Sequence, residues 1–244
     1  MSATQSALII GATGQTGRYL LQNLLSSPHF TRVGEYGRRV TAAEQITAGK
    51  DKLEQKVVDF EKIEESGLAS GKWDVVFITL GTTKKDAGSA EQFEKIDREY
   101  VLRSAKEAKS SEISQRLVYL SSGGASSSSP FLYARSKGLT EEGLAKLGYS
   151  DTIIFRPGML QGTAREHPRL AETVFGKVTS VLSHFSDSIE IQISALAKSM
   201  YFAGKLGSDG LPDSVGATKE DDAGGFGFTS INNAGAIALS KTEA

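Results

Sequence analysis

The chain has 244 residues, with 28 basic and 29 acidic side chains, 26 glycines and no cysteine. This length suits one α/β domain with a substantial core, since folding at this size buries roughly 70–75% of the unfolded surface. The net charge of −1 gives no attraction to nucleic-acid phosphates, and the missing cysteine excludes disulfides and a thiol nucleophile. The three histidines, His29, His167 and His184, lack metal-ligand spacing, so we expect neither a nucleic-acid partner nor a metal.

No apolar run approaches the ~20 residues that cross a bilayer, which predicts no transmembrane segment. The first apolar run begins at Ala7 after a short polar stretch, so we expect no signal or transit peptide. These features predict a cytoplasmic protein, or one attached peripherally to a membrane through other features. The oligomeric state stays open.

Short apolar runs alternate with longer amphipathic stretches through the first two-thirds of the chain. They predict strands over 7–10, 31–37, 56–60, 74–79, 116–120 and 152–155, and helices over 16–25, 91–109 and 133–147. Because parallel strands need crossover connections, this order predicts an α/β fold with a Rossmann-like doubly wound parallel sheet. Further on we predict helices over 171–185, 194–206 and 232–241, a loop over 207–225 and a strand over 226–229. We expect one domain, with a core over 6–158 and a small substrate-side region over 159–244.

A glycine-rich turn, Gly11-Ala-Thr-Gly14-Gln-Thr-Gly17, lies between the first predicted strand and the first helix. In a dinucleotide-binding turn the first glycine permits the tight bend, the second lets the backbone approach a pyrophosphate, and the third allows close helix packing. Amides at a helix start also favour phosphate. A tight turn without ligand is the alternative. We predict a nucleotide-binding turn formed by Gly11, Thr13, Gly14, Gln15, Thr16 and Gly17.

The end of the second strand bears on the choice between NAD and NADP. A carboxylate such as Glu35 holds a ribose 2′-hydroxyl, whereas arginines such as Arg38 and Arg39 bind a 2′-phosphate through charge-assisted hydrogen bonds. Glu35 falls inside the predicted strand, so we favour NADP(H), although two solvated arginines remain an alternative. Asp59 is predicted to flank the adenine, and the middle of the cofactor is predicted to be bordered by Leu80, Gly81 and Thr82.

The spacing Tyr-x-x-x-Lys places both side chains on one face of a helix. A lysine ammonium next to tyrosine helps the phenol, whose ordinary pKa is ~10, to exchange protons near neutral pH. The chain contains two such pairs. Tyr133 and Lys137 follow the fifth strand at the edge where doubly wound sheets bind ligands, so we predict that they are catalytic. We interpret Tyr201 and Lys205, in a late apolar helix, as packing.

Two adjacent serines precede the first pair. Ser121 or Ser122 is expected to hold the substrate oxygen, and the sequence does not choose between them. The serine-rich run over 123–129 is expected to form a rim over the substrate. Arg165 and Arg169 either engage an anionic group or belong to a solvated turn.

With these residues in view, the chain resembles an atypical short-chain dehydrogenase/reductase. It is most similar to the branch containing the fungal mitochondrial outer-membrane oxidoreductases and the mammalian Tat-interacting oxidoreductases. The resemblance is carried by residues 11–17, 37–39, 57–61, 80–83, 97–101, 131–137 and 155–158. One departure concerns the rim, where a glycine pair and serines replace a lysine of the mammalian relatives.

The resemblance implies that the chain binds NADP(H), with residues 13–16 on the phosphates and Arg38 and Arg39 on the 2′-phosphate. It also implies a reaction centre at Tyr133 and Lys137, and peripheral attachment to the cytosolic face of the mitochondrial outer membrane. We therefore expect an NADPH-dependent oxidoreductase that reduces a carbonyl or related small molecule. The alternative is an NADPH-binding regulatory or scaffold protein with little turnover, for which an intact tyrosine–lysine pair is unnecessary.

Overall fold

The computed structural model describes residues 4–162, 190–221 and 225–242. The helix predicted over 171–185 lies outside these ranges, as do Arg165, Arg169, His167 and His184. No helix in the described ranges is both long enough and apolar enough to cross a membrane.

An eight-stranded sheet forms the centre of the molecule, in the order β3-β2-β1-β4-β5-β6-β10-β9. Every pair in it is parallel except β10 with β9. Two further short strands, β7 and β8, pair with each other in parallel. The strands are β1 Gln5–Ile10, β2 Phe30–Gly37, β3 Leu53–Val57, β4 Val75–Ile78, β5 Arg116–Leu120, β6 Asp151–Arg156, β7 Met159–Gln161, β8 Glu190–Gln192, β9 Thr218–Asp221 and β10 Gly227–Asn232.

Helices cover both faces of this sheet. A π turn, Lys95–Glu99, joins α3 to α4, so the segment from α3 to α4 runs on as one helical rod. The helices are α1 Gln15–Ser26, α2 Lys84–Ala87, α3 Ala90–Glu94, α4 Tyr100–Ala108, α5 Leu132–Ala145, α6 Ile193–Leu206 and α7 Asn233–Ser240. The predicted α/β fold with a doubly wound parallel sheet is therefore confirmed.

The first strand shows why its sequence is apolar throughout. Ala7 and Ile9 face a core that contains α1 and α6, while Leu8 and Ile10 face a second core against α4. All four are buried. A parallel strand covered on both faces needs apolar side chains at successive positions, and each large one contributes about 1.5–3 kcal/mol when buried.

Two predicted elements were wrong in place or type. The third strand is Leu53–Val57 rather than 56–60, because Asp59 caps a 3-10 turn that begins at Phe60. The loop predicted over 207–225 contains the edge strand β9, whose side chains are largely exposed and carry no apolar pattern.

The strand order reverses direction between β1 and β4, which are direct neighbours in the sheet and pair with each other in parallel. In doubly wound sheets ligands bind outside the carboxyl ends of the strands at this point. The glycine turn, the arginine pair, the segment after β4 and the two serines all follow carboxyl ends of these strands.

Candidate active site

The glycine turn has the geometry that a phosphate-binding turn needs. Gly11 has a φ of +99°, and a Cβ there would lie 2.7 Å from the amide nitrogen of Leu80. At Gly17 a Cβ would overlap the carbonyl oxygen of Gly11 and lie 2.8 Å from Thr79 Oγ1. Gly14, the N-cap of α1, is exposed, and its Cβ would approach only the Gly11 carbonyl oxygen, at 3.1 Å. The turn is therefore closed on the protein side and open on the outer side.

The first turn of α1 contains no acidic residue. Thr13 is exposed, Gln15 is half-buried and Thr16 is buried beside the turn. Backbone amides at a helix N-terminus attract anions, and no local carboxylate opposes them here. Glycine at position 14 has no Cβ and leaves the open side of the turn free, so the turn fits a pyrophosphate.

The carboxylate at the end of β2 is used inside the protein. Glu35 is 1% exposed and accepts hydrogen bonds from the Thr41 amide and hydroxyl, at 2.8 and 2.7 Å, and from Gln55 Nε2 at 2.7 Å. Arg38 and Arg39 follow β2 directly, are exposed, and form no ion pair with any residue of the described ranges. The available charge at this strand end is therefore positive.

A groove of about 670 Å³ lies between α1 and the chain that follows β2. Thr13, Arg18 and Arg39 line it, and none of its lining residues is acidic. Arg18 has its guanidinium 4.9 Å from the centre of the Tyr19 ring. Arg18 directly follows the third glycine of the turn and was not among the predicted site residues.

The other predicted cofactor contacts also follow strand ends. Asp59 is exposed and its carboxylate accepts from the Glu61 amide at 2.9 Å. Leu80, Gly81 and Thr82 continue from β4 and are half-buried. A Cβ at Gly81 would lie 3.1 Å from Asp97 Oδ1 and 3.5 Å from Lys137 Nζ, so this segment covers a buried charged pair.

That pair involves the predicted catalytic lysine. Lys137 is 4% exposed, its Nζ lies 3.2 Å from Asp97 Oδ1, and it donates to the Tyr119 hydroxyl at 3.0 Å. Tyr133, one turn earlier on α5, is half-buried and packs against Phe93 with 6.0 Å between ring centres. The structure thus places Tyr133 and Lys137 together at the carboxyl edge of the sheet.

Burial by itself lowers the pKa of Lys137, but the Asp97 carboxylate and then the hydroxyls of Tyr119 and Tyr133 raise it above the ordinary lysine value. Burial raises the pKa of Tyr119 above its ordinary value, and the Lys137 ammonium opposes this only in part. At neutral pH the site therefore holds a lysine ammonium next to a protonated Tyr119.

The two serines have different surroundings. Ser121 is 3% exposed and its hydroxyl donates to Glu141, a buried carboxylate that also binds Arg156 with a 2.6 Å contact. Ser122 is half-buried, and among the described residues its hydroxyl donates to the Gly123 carbonyl, at 3.2 Å. Glu141 lies four residues after Lys137, so it continues the face of α5 that carries Tyr133 and Lys137 by one more turn.

The serine-rich rim lies on α5. The Ser126 amide donates to the Ala134 carbonyl at 3.0 Å, and a Cβ at Gly138 would overlap the Ser127 amide. The rim therefore borders the start of α5, where Tyr133 is located.

The second Tyr-x-x-x-Lys pair lies elsewhere. Tyr201 is 7% exposed, its hydroxyl is 2.8 Å from Ser27 Oγ, and its ring packs against Phe30. It packs α6 against α1, as its apolar sequence neighbours predict.

Asp97, Phe93 and Tyr119 were missed as site residues. Phe93 and Asp97 are four residues apart, which matches the spacing of Tyr133 and Lys137, but nothing in the sequence aligns the two helices. Tyr119 lies inside an apolar strand and is typical of a core residue there.

Comparisons with known proteins agree with this geometry. A family model described as NAD(P)H-binding matches residues 11–180. Protein HTATIP2 from Rattus norvegicus is 39% identical over 177 residues, which cover 71% of this chain and 72% of that protein. The mitochondrial protein FMP52 from Candida albicans is 37% identical over 170 residues, covering 69% of this chain and 73% of that protein.

Solved structures share the fold at low identity. A UDP-N-acetylglucosamine 4-epimerase from Methanobrevibacter ruminantium aligns with a TM-score of 0.59 at 13% identity, over 84% of this chain and 74% of the epimerase. The enzyme WbmF from Bordetella bronchiseptica, in complex with NAD+, aligns with a TM-score of 0.59 at 15% identity, over 83% of this chain and 70% of WbmF. The family inferred from the motifs is confirmed: the chain belongs to the NAD(P)H-binding family that includes HTATIP2 and the fungal FMP52 proteins.

Proposed function

We propose that the chain is an NADPH-dependent oxidoreductase that reduces a carbonyl or related small molecule, with Tyr133 as the proton donor. The observation that carries the proposal is the placement of Tyr133 and a buried, charged Lys137 on one helix face at the edge of the nucleotide cleft. A protein that only sensed the nucleotide needs the glycine turn and the arginines but no proton donor.

The chain's own residues fit NADP(H). The open side of Gly14 and the amides of Thr13, Gln15 and Thr16 would hold the pyrophosphate, because the Gly14 amide donates to the Gly11 carbonyl at 3.0 Å. The exposed Arg38 and Arg39 would hold the 2′-phosphate. Glu35, with three internal hydrogen bonds, is already occupied, which supports NADP(H) over NAD. Asp59 flanks the adenine, while residues 80–82 border the middle of the cofactor.

When bound, NADPH supplies a hydride to the substrate carbon. Tyr133 gives its hydroxyl proton to the substrate oxygen, and the Lys137 ammonium stabilises the charge that develops on the phenol. Ser122 donates a hydrogen bond to the same oxygen in place of its 3.2 Å bond to the Gly123 carbonyl, because the Ser121 hydroxyl is buried and donates to the Glu141 carboxylate. The rim over 123–129 limits water access to the reacting atoms.

Turnover tests this proposal. NADPH oxidation is followed at 340 nm with panels of aldehydes, ketones and quinones, using the parent, Tyr133→Phe and Tyr201→Phe. Loss of a positioned proton donor is expected to lower kcat by roughly 10²- to 10⁴-fold. Tyr201→Phe removes a hydroxyl from the other Tyr-x-x-x-Lys pair and is the matched control, with activity retained. Full turnover by Tyr133→Phe contradicts Tyr133 as the proton donor, whereas a parent that binds NADPH but oxidises it with no compound of the panels favours the regulatory alternative.

Cofactor preference is tested separately. Replacing both Arg38 and Arg39 with alanine is expected to weaken NADPH binding at least ~100-fold, since charge-assisted hydrogen bonds contribute about 1.5–3 kcal/mol each. NADH affinity is expected to change little, and equal losses for both nucleotides refute the assignment.

We also propose that the protein acts in the cytosol or on the cytosolic face of the mitochondrial outer membrane. The mitochondrial names of the FMP52 relatives support the second location. Protease treatment and carbonate washing of intact mitochondria test it: an outer peripheral protein is digested and extracted, whereas protection from protease contradicts the proposal.

A further inference from the structure

Two facing helical segments meet at the candidate site through matching pairs of residues. Phe93 packs against Tyr133, and Asp97 forms an ion pair with Lys137. Phe93 and Asp97 are four residues apart on the segment from α3 into the π turn, and Tyr133 and Lys137 are four residues apart on α5. One turn of the first segment therefore faces one turn of α5. Both members of the tyrosine–lysine pair are therefore held by the same neighbouring helix.

Asp97 is an unusual residue for this position. It is fully buried, and it lies in the middle of the π turn Lys95–Glu99, a distortion often found at functional sites. Its Oδ1 is 3.2 Å from Lys137 Nζ and accepts from the Thr82 amide at 3.3 Å. Its Oδ2 is buried and has no hydrogen-bond partner within the described part of the chain.

Stability alone does not account for such a pair. Replacing a buried ion pair by apolar side chains is often neutral or stabilising, because desolvation of two charges costs about as much as their attraction returns. The pair also lies directly under Gly81, in the segment proposed to border the cofactor. A charged pair retained at the reaction centre, beneath a glycine, indicates a role in the chemistry.

We propose that Asp97 is a positioning residue that holds the Lys137 ammonium, charged and fixed, beside Tyr133 and against the segment after β4. This inference rests on the proposed function, in which Lys137 assists Tyr133, but the protonation of Lys137 can be measured whether or not that function is correct. Asp97 touches neither the substrate nor the reacting atoms; it acts through Lys137.

The groups that face Lys137 explain why Asp97 is needed. Tyr119 approaches from β5, Asp97 from the π turn and Tyr133 from α5 itself. Glu141, one turn further along α5, is paired with Arg156. Within the described residues, Asp97 is thus the only carboxylate that forms an ion pair with the Lys137 ammonium. Without it, burial is left to lower the pKa of Lys137, which favours the neutral amine.

The protonation of Lys137 is measured directly. The protein is labelled with ¹³Cε-lysine, the Lys137 signal is assigned from its loss in Lys137→Met, and its shift is followed with pH. In the parent we expect an ammonium at pH ~10.4, where exposed lysines are half-titrated. In Asp97→Asn we expect a midpoint at least ~2 pH units below that of exposed lysines, because burial lowers the pKa of fully buried lysines by up to 3–5 units. Asp97→Glu is expected to restore the charge.

NADPH binding gives the second readout. Between pH 7 and pH 9 the dissociation constant of Asp97→Asn is expected to rise about tenfold as Lys137 loses its proton, while that of the parent stays constant. Asp86→Asn, at an exposed acid on α2, is the control and should match the parent.

Several results overturn the inference. If Lys137 of the parent titrates at or below the ordinary lysine midpoint, the inference is wrong, even if Asp97→Asn fails to fold. An unchanged midpoint in a folded Asp97→Asn also overturns it. If the parent binds no NADPH, the proposed function fails on its own, and the titration of Lys137 still tests Asp97.

Discussion

Gly14 and Gly17 lie three residues apart in the same turn, yet the structure predicts opposite consequences for an added methyl group. At Gly14, φ is −75° and ψ is 173°, values that alanine adopts without strain, and the Cβ meets only the Gly11 carbonyl oxygen, at 3.1 Å. At Gly17 the Cβ overlaps that oxygen and lies 2.9 Å from Ala12 Cα. The first change needs only a small shift of one carbonyl oxygen, whereas the second overlaps backbone atoms and disturbs the folded protein.

For Gly14→Ala, two small effects oppose each other. The unfolded chain loses freedom, which stabilises the fold by about 0.4–1 kcal/mol, and alanine is a poorer N-cap than glycine by about 0.5–1 kcal/mol. We therefore expect Tm to stay within about 2 °C of the parent. The methyl group occupies the side where the pyrophosphate approaches, so losing one or two amide–phosphate hydrogen bonds should weaken NADPH at least ~10-fold.

The assay combines thermal unfolding with isothermal titration of NADPH. Gly17→Ala is the matched comparison, because overpacking of about 1–3 kcal/mol should lower its Tm by several degrees. Parent-like NADPH affinity in a folded Gly14→Ala refutes the placement of the pyrophosphate against this glycine. A Tm loss in Gly14→Ala equal to that in Gly17→Ala refutes the distinction between the open and closed sides of the turn.

Four further substitutions test other parts of the site. Ser122→Ala is expected to lower kcat by roughly 10²-fold through loss of an oxygen-binding donor, whereas Ser121→Ala should mainly lower stability in urea unfolding. Arg18→Ala should weaken NADPH several-fold by titration calorimetry and leave NADH unchanged, because Arg18 lines the groove beside Arg39. Arg156→Leu should destabilise the protein by about 3 kcal/mol in urea unfolding, since it leaves the Glu141 carboxylate buried without its partner.

Each of these has a result that counts against it. Equal kcat losses at both serines leave Ser122 without a special role, and equal losses of NADPH and NADH in Arg18→Ala remove it from the 2′-phosphate site. Lys219→Ala breaks an exposed pair with Asp209 and should change stability by less than ~1 kcal/mol. A similarly small effect of Arg156→Leu shows that Glu141 does not depend on this arginine.

Most of the sheet could be predicted because buried parallel strands need apolar residues at successive positions. β1, β4, β5 and β6 all satisfy this, and their runs are short and bounded by polar turns. The edge strands do not: β3 has four exposed positions out of five, and β9 is largely exposed, so neither offers a hydrophobic signal. Their pairing depends on backbone hydrogen bonds to neighbours that the local sequence does not reveal.

The site divides in the same way. The glycine turn, the arginine pair and Tyr133 with Lys137 are local patterns, and the sequence predicts them from their spacing together with their positions after predicted strands. The choice between Ser121 and Ser122 depends on Glu141, twenty residues away on another element, and the role of Asp97 depends on how two helices face each other. Contacts between elements decide these assignments, and no local spacing encodes them.

The π turn between α3 and α4 also restricts how this protein can vary in length. The hydrogen bonds of this turn span five residues instead of four, so the turn holds one residue more than an α turn. Deleting one residue from Lys95–Glu99 lets the segment close into a regular α-helix, with Val101 and Ala105 still in the core, where both are fully buried. The deletion removes the distortion at Asp97, so proteins that keep the same reaction centre should keep the length of this turn, even where substitutions are common.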